Sequence, residues 1–94
     1  MLGNLMTVLA YVLCKVSSGT ARDVCLKLIE FDEITQADII FGEYDVIAKV
    51  STATLDDLEE FLSQKVRNIT SIILTSTMII AREYKGKTSR PKAK

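Results

Sequence analysis

Residues 39–50, with the sequence IIFGEYDVIAKV, decide the fold of this chain. Two apolar runs rich in isoleucine and valine flank a four-residue turn, Gly42-Glu43-Tyr44-Asp45, which carries one glycine, two carboxylates and a phenol. Because so short a connection cannot cross over a sheet, the strands predicted from Ile34 to Phe41 and from Val46 to Val50 must be antiparallel neighbours. The polar groups converge on a short rigid frame, which predicts a place to hold a small charged ligand.

The other elements follow from the hydrophobic periodicity. Every even position from Val8 to Val16 is apolar, and so are most odd ones, which predicts a strand with both faces largely buried. The Thr20–Asp23 and Thr54–Asp57 pairs have capping-box spacing, and a helical pattern follows each of them. A last strand is expected from Ile72 to about Tyr84.

This order of elements predicts an α+β fold. With right-handed crossovers it gives the ferredoxin-like βαββαβ arrangement, a four-stranded antiparallel sheet with two helices on one face. The other face stays mostly apolar, as Leu9, Tyr11 and Leu13 show, and a bare patch of this kind exceeds the few hundred Å² that soluble monomers tolerate. We therefore expect a sheet-to-sheet homodimer of the dimeric α+β barrel type. The alternative is a monomer in which one helix covers a different surface.

Length and charge divide the chain into one domain and a tail. The 94 residues are enough for a single core. The net charge is zero, yet residues 85–94 hold five basic residues and no acid, whereas residues 1–84 hold seven basic against twelve acidic residues. We expect a folded domain over residues 1–84 and a disordered basic tail over 85–94. A negative body is poorly suited to bind nucleic acid through its folded face.

Composition argues against several other classes. The chain has no histidine, the usual acid-base group at neutral pH. Cys14 and Cys25 lack metal-site spacing, which predicts free thiols in a reducing compartment and hence a cytoplasmic protein. The apolar stretch from Met1 to Val16 is interrupted by polar residues and is shorter than the roughly 20 residues of a membrane-spanning helix.

Three stretches together resemble a known family: AYVLCKV at 10–16, FGEYDVIAKV at 41–50, and Thr75-Ser76-Thr77 followed by an apolar run. They are similar to the C-terminal effector domain of the leucine-responsive regulatory protein/AsnC (Lrp/AsnC) family, called the RAM domain and similar in topology to ACT domains. The resemblance covers about Leu9 to Lys85. It rests on a Gly-x-x-Asp hairpin, a Thr-x-Thr strand start and the strand order, whereas Thr70-Ser71 stands where the family often has Pro-Gly.

The resemblance implies a regulatory domain that binds an amino acid effector, is not an enzyme and needs no cofactor or metal. The first strand starts within ten residues of Met1, so we expect a stand-alone form without the family's DNA-binding domain and without direct sequence-specific DNA binding. Family dimers form through their sheets and associate into rings, commonly octamers, with the effector between dimers. Full-length Lrp/AsnC transcription regulators are then candidate partners. The ligand-binding residues implied on this chain are Gly42, Glu43, Tyr44, Asp45, Thr75, Ser76 and Thr77.

The chemistry of these residues suits an amino acid. Asp45 or Glu43 can pair with the ammonium, while amides around Gly42 and the threonine hydroxyls can bind the carboxylate. Glycine and aspartate are also ordinary turn formers, and threonine is an ordinary strand residue.

Two other functions stay open at the level of sequence. A small ferredoxin-like enzyme of the acylphosphatase or monooxygenase type would need a catalytic centre, and only Arg22 after Ser17-Ser18-Gly19 suggests one. The basic tail could instead bind nucleic acid weakly and in a salt-sensitive way. Its cations are Lys85, Lys87, Arg90, Lys92 and Lys94.

Overall fold

The computed structural model describes residues 7–89 and confirms the predicted order of strands and helices. The second helix continues into a π-helical segment, and a single 3-10 turn follows the last strand. The elements are β1 Val8–Val16, α1 Ala21–Leu28, β2 Ile34–Ile39, β3 Val46–Thr52, α2 Leu55–Phe61, the π-helical segment Leu62–Val66, β4 Ile72–Ile79 and the turn Lys87–Ser89.

The four strands form one antiparallel sheet in the order β2-β3-β1-β4. This is the ferredoxin-like topology that the sequence predicts. Cys14 of β1 lies opposite Val46 of β3 on one side and opposite Thr75 of β4 on the other. Because neighbouring strands lie about 4.8 Å apart, β1 keeps the β2–β3 hairpin and β4 about 10 Å from each other.

The core lies between the helices and one face of the sheet. Even-numbered residues of β1 and β3 point into it, and α1 and α2 supply the opposite wall. The rings of Phe31 and Phe61 meet edge to face, with their centroids 5.6 Å apart. The most deeply buried side chains are those of Ala10, Val12, Cys14, Val24, Leu28, Val46, Ala48, Val50, Leu58, Phe61 and Val66.

The two predicted capping boxes have different outcomes. The Thr54 hydroxyl accepts a hydrogen bond from the Asp57 amide at 3.0 Å, so the start of α2 is confirmed. The predicted cap at Thr20 is wrong, because the Thr20 hydroxyl instead donates to the Ser17 carbonyl at 2.7 Å. That bond closes the preceding turn, in which Gly19 adopts a φ of 79°.

Strand lengths also depart from the sequence prediction. β2 ends at Ile39 instead of Phe41, and β4 ends at Ile79 instead of about Tyr84. The Ile80 amide makes a last bond to the Leu9 carbonyl at 2.8 Å, close to the first residue of β1, so β4 has no further partner residues. Beyond this point Glu83 forms an ion pair with Lys49 of β3 at 2.7 Å, so we call residues 80–86 the strap.

The side of the sheet away from the helices carries apolar side chains, as the sequence predicts, and we call it the open face. It includes Leu9, Tyr11 and Leu13 of β1 with Leu74 and Met78 of β4. Leu74 and Met78 are 53% and 54% exposed in the single chain. The division into a domain over 1–84 and a disordered tail over 85–94 stays a prediction, because residues 1–6 and 90–94 lie outside the described residues.

In the described part of the chain, neither helix reaches the length and hydrophobicity that a membrane span requires.

Candidate ligand site at the hairpin turn

The turn Gly42–Asp45 is tied to the end of β1 by three hydrogen bonds. The Asp45 amide donates to the Cys14 carbonyl at 2.9 Å, and the Asp45 carboxylate accepts from the Val16 amide at 2.9 Å. Lys15 Nζ donates to the Glu43 carbonyl oxygen at 2.7 Å. These contacts join residues 28 to 31 positions apart, so the polar turn is fixed to the centre of the sheet.

Three successive amides of the turn point to no partner. Within residues 7–89, the N–H groups of Gly42, Glu43 and Tyr44 donate no hydrogen bond to protein. Successive free amides form concavities that bind anions. A side chain at Gly42 would meet nothing within 4 Å, so the space beside the turn is open. The turn therefore offers donors for a carboxylate in an accessible position.

Acceptors for a cation lie on the same turn. The Glu43 side chain is exposed, and its carboxylate has no partner among the described residues. Asp45 is half-buried and uses only Oδ2 to hold Val16, which leaves Oδ1 for another donor. Lys15 adds a positive charge that the sequence analysis missed. Its signal was available, since Lys15 is the one charged residue of an otherwise apolar strand.

The predicted residues of β4 lie elsewhere in the protomer. Thr75 and Thr77 stand opposite Cys14 and Val12, so they face the helix side of the sheet. There they line a groove of about 900 Å³ between the α2 region and β4. Ser76 stands opposite Leu13 and faces the other way. One chain therefore separates the hairpin turn from all three β4 residues, and a single small ligand cannot touch both groups within it.

The cysteines are poor nucleophiles. Burial raises the pKa of the Cys14 thiol to about 11, and the nearby Cys25 adds to the effect. Burial also raises the pKa of Cys25, with a smaller contribution from Asp38. Both thiols are free, and both are protonated at neutral pH. Arg22 is exposed on α1, and the described residues hold no group of three His, Cys, Asp or Glu side chains that could bind a metal ion.

The fold and the polar turn are those of a ligand-binding domain, and comparison with known proteins agrees. Residues 9–90 match the sequence model of the Lrp/AsnC ligand binding domain. The chain belongs to the Lrp/AsnC family. The resemblance that the sequence analysis found is thus confirmed.

Two relatives are transcriptional regulators by name. The chain is 33% identical over 84 residues to the HTH-type transcriptional regulator FL11 of Pyrococcus furiosus, which covers 89% of this chain and 55% of FL11. It is 32% identical over 65 residues to the regulatory protein AsnC of Escherichia coli, which covers 69% of this chain and 43% of AsnC. The chain thus spans about half the length of these curated relatives.

Solved structures share the fold. The protein PHS023 of Pyrococcus horikoshii superposes with a TM-score of 0.77 and 42% identity, covering 82% of this chain and 93% of PHS023. E. coli AsnC superposes with a TM-score of 0.80 and 27% identity, over 89% of this chain and 57% of AsnC. A transcriptional regulator of Neisseria meningitidis, solved as a complex with L-Met, shares the fold alone, with a TM-score of 0.80, 14% identity and coverage of 97% and 61%.

Proposed function

We propose that this domain binds a small amino acid at the hairpin turn and acts as a regulatory, assembling module in the cytoplasm. The observation that carries the proposal is the set of free amides at Gly42, Glu43 and Tyr44 beside unpaired carboxylate oxygens. The L-Met complex of the distant Neisseria regulator supports an amino acid as the class of ligand.

The two charged ends of an amino acid match the two kinds of group on the turn. Its carboxylate accepts hydrogen bonds from the free amides and lies near the Lys15 ammonium. Its ammonium pairs with the Glu43 carboxylate and with the free Oδ1 of Asp45. Tyr44, which is half-buried beside them, limits the size of the ligand side chain.

A second copy of the chain completes the proposed pocket. Because β1 separates the hairpin turn from β4, Thr75, Ser76 and Thr77 reach a ligand at the turn only from a neighbouring protomer. The proposal therefore includes a homodimer through the open faces and a higher ring of the octamer type. Since the open face would be shared by relatives of the same fold, mixed assembly with full-length Lrp/AsnC regulators is the proposed way in which the domain modulates them.

Calorimetry and thermal melting with each of the twenty amino acids test the ligand proposal. We expect at least one of them to release or absorb heat and to raise the melting temperature. Glu43→Gln should weaken that binding by about tenfold or more, because a hydrogen bond to a charged group is worth about 1.5–3 kcal/mol. The matched control is Glu59→Gln on α2, an exposed carboxylate remote from the turn. If no amino acid gives heat or a melting shift, the domain does not bind this class of ligand.

A further inference from the structure

β4 is an unprotected edge of the sheet. Its nine residues from Ile72 to Ile80 include no charge, no proline and no glycine. Natural edge strands usually carry such residues, which prevent pairing with other chains. β2, the opposite edge, carries Asp38 hydrogen-bonded to Gln36 at 2.8 Å. β4 has only a bulge at its start, where Ile73 is the extra residue, and it runs regularly from Leu74 onward.

The apolar surface of β4 extends to the side that the open-face dimer cannot reach. Ile73 is 67% exposed and Ile79 is 53% exposed, and Ile79 stands opposite Ala10, so it faces the helix side. This region is bare because α1 packs on β2 and β3, while α2 packs on β3. A sheet-to-sheet contact covers Leu74 and Met78 and leaves the backbone edge and the helix side of β4 in water.

We infer that β4 pairs edge to edge with β4 of a second copy, so that two four-stranded sheets become one continuous sheet. The phase of the hydrogen bonds supports this pairing. Because Ile80 bonds to the directly opposite Leu9, even-numbered residues of β4 spend their backbone groups on β1. The amides and carbonyls of Thr75, Thr77 and Ile79 therefore point outward, where a second strand can bond to them.

Symmetry fixes which residues can face each other. Two identical antiparallel edges are related by a two-fold axis perpendicular to the sheet, which keeps the helices of both copies on one side. Directly opposed residues then share a face and are both odd or both even in number. This agrees with the outward groups, since odd residues must meet odd residues for their hydrogen bonds to form.

The composition of the strand selects one register. With Ser76 opposite itself, Thr75 meets the second copy's Thr77, Leu74 meets the second copy's Met78, and hydroxyl and apolar side chains pair with their own kind. Centring on Thr75 instead places Leu74 against Ser76. No register brings like charges together, because the run is uncharged. This self-complementarity is why the occupant of the edge is a second copy of the chain.

Edge pairing does not depend on a ligand or on the open face. Combined with the proposed open-face dimer it gives a tetramer of two facing eight-stranded sheets, and this tetramer alone rests on the proposed function. The edge pair by itself gives a dimer.

Paired charge variants of the same strand test the pairing. In the inferred register, T75K/T77K places lysine opposite lysine, whereas T75K/T77E places lysine opposite glutamate. Sedimentation velocity at equal micromolar concentration should show T75K/T77K at half the wild-type mass and T75K/T77E at the wild-type mass. Leu13→Lys disrupts the open face, so L13K/T75K/T77K should be a monomer. Circular dichroism checks that each variant is folded.

Cross-linking gives a second test that needs no change of charge. Chains carrying Thr75→Cys or Thr77→Cys are treated with a short thiol cross-linker, alone and mixed, with wild type as the control for Cys25. Covalent dimers above the wild-type background should appear in the mixture only. The inference is overturned if the wild type is a monomer, if T75K/T77K keeps the wild-type mass, if both charge variants lose mass equally, or if T75C cross-links to itself as well as the mixture does.

Discussion

Removal of the Asp45 carboxylate should loosen the hairpin turn and destabilise the whole domain. In the wild type, Oδ2 of Asp45 accepts the Val16 amide at 2.9 Å in a half-buried position. Asp45→Ala leaves this amide without a partner, which costs about 1–3 kcal/mol of unfolding free energy. Asp45→Asn retains an oxygen in the same place but loses its charge, so we expect a loss of about 1 kcal/mol.

Urea and thermal unfolding at a fixed protomer concentration measure these differences, since association shifts the apparent stability. For a domain of this size each kcal/mol corresponds to about 4–8 °C in melting temperature. Glu43→Ala is the matched control, because the Glu43 side chain is exposed and only its backbone carbonyl bonds to Lys15. We expect that control within about 0.5 kcal/mol of wild type. If D45A is as stable as E43A, the Asp45–Val16 bond does not hold the turn.

The same variants separate two roles of Asp45. If it only positions the turn, D45N keeps most of the stability and also keeps amino acid binding. If Oδ1 also pairs with the ligand ammonium, D45N weakens binding by more than its small loss of stability explains. The ratio of the two effects therefore distinguishes a positioning residue from a binding residue.

Two further predictions concern local contacts. Thr54→Ala should lower the unfolding free energy by about 1 kcal/mol, because it removes the cap of α2, and Thr20→Ala is its comparison, since Thr20 caps no helix; equal losses in urea titrations would contradict the assignment. The hydrogen bond from Lys49 and its charge lower the pKa of Glu83 below its ordinary value of 4.5, so the strap's contribution to stability is complete above that pH and is lost as the pH falls through the lower folded value. Carboxyl NMR titration should show the Glu83 midpoint rising in Lys49→Met, and an unchanged midpoint would mean that the pair does not form in solution.

The sequence allows the sheet and its exposed face to be predicted because both depend on short-range patterns. Alternation along β1 separates buried from open-face residues, and the four-residue polar turn forces β2 and β3 to be neighbours. The same alternation already implies that Ser76 faces away from Thr75 and Thr77, a consequence that the site prediction overlooked. The end of β4 could not be predicted, because it depends on where β1 runs out of partner residues and not on the apolar run itself.

The candidate site was only half accessible from sequence. Grouping Gly42–Asp45 needs nothing beyond turn chemistry. Placing Asp45 against Val16, or Lys15 against Glu43, requires contacts between residues 29 and 28 positions apart that no local pattern encodes. Sequence motifs also suggested that the turn and the β4 threonines act together, whereas the strand order inserts β1 between them.

The last residues of β1 serve two neighbouring segments at once. The Val16 amide is held by Asp45, and the next amide, that of Ser17, donates to the Ser71 carbonyl at 2.9 Å, immediately before β4 begins. A molecule that displaces the turn therefore pulls on a backbone segment only one residue away from the point that sets the entrance of β4. Communication between an effector and the outermost strand has one amino acid to cross, a far shorter route than any through the helices.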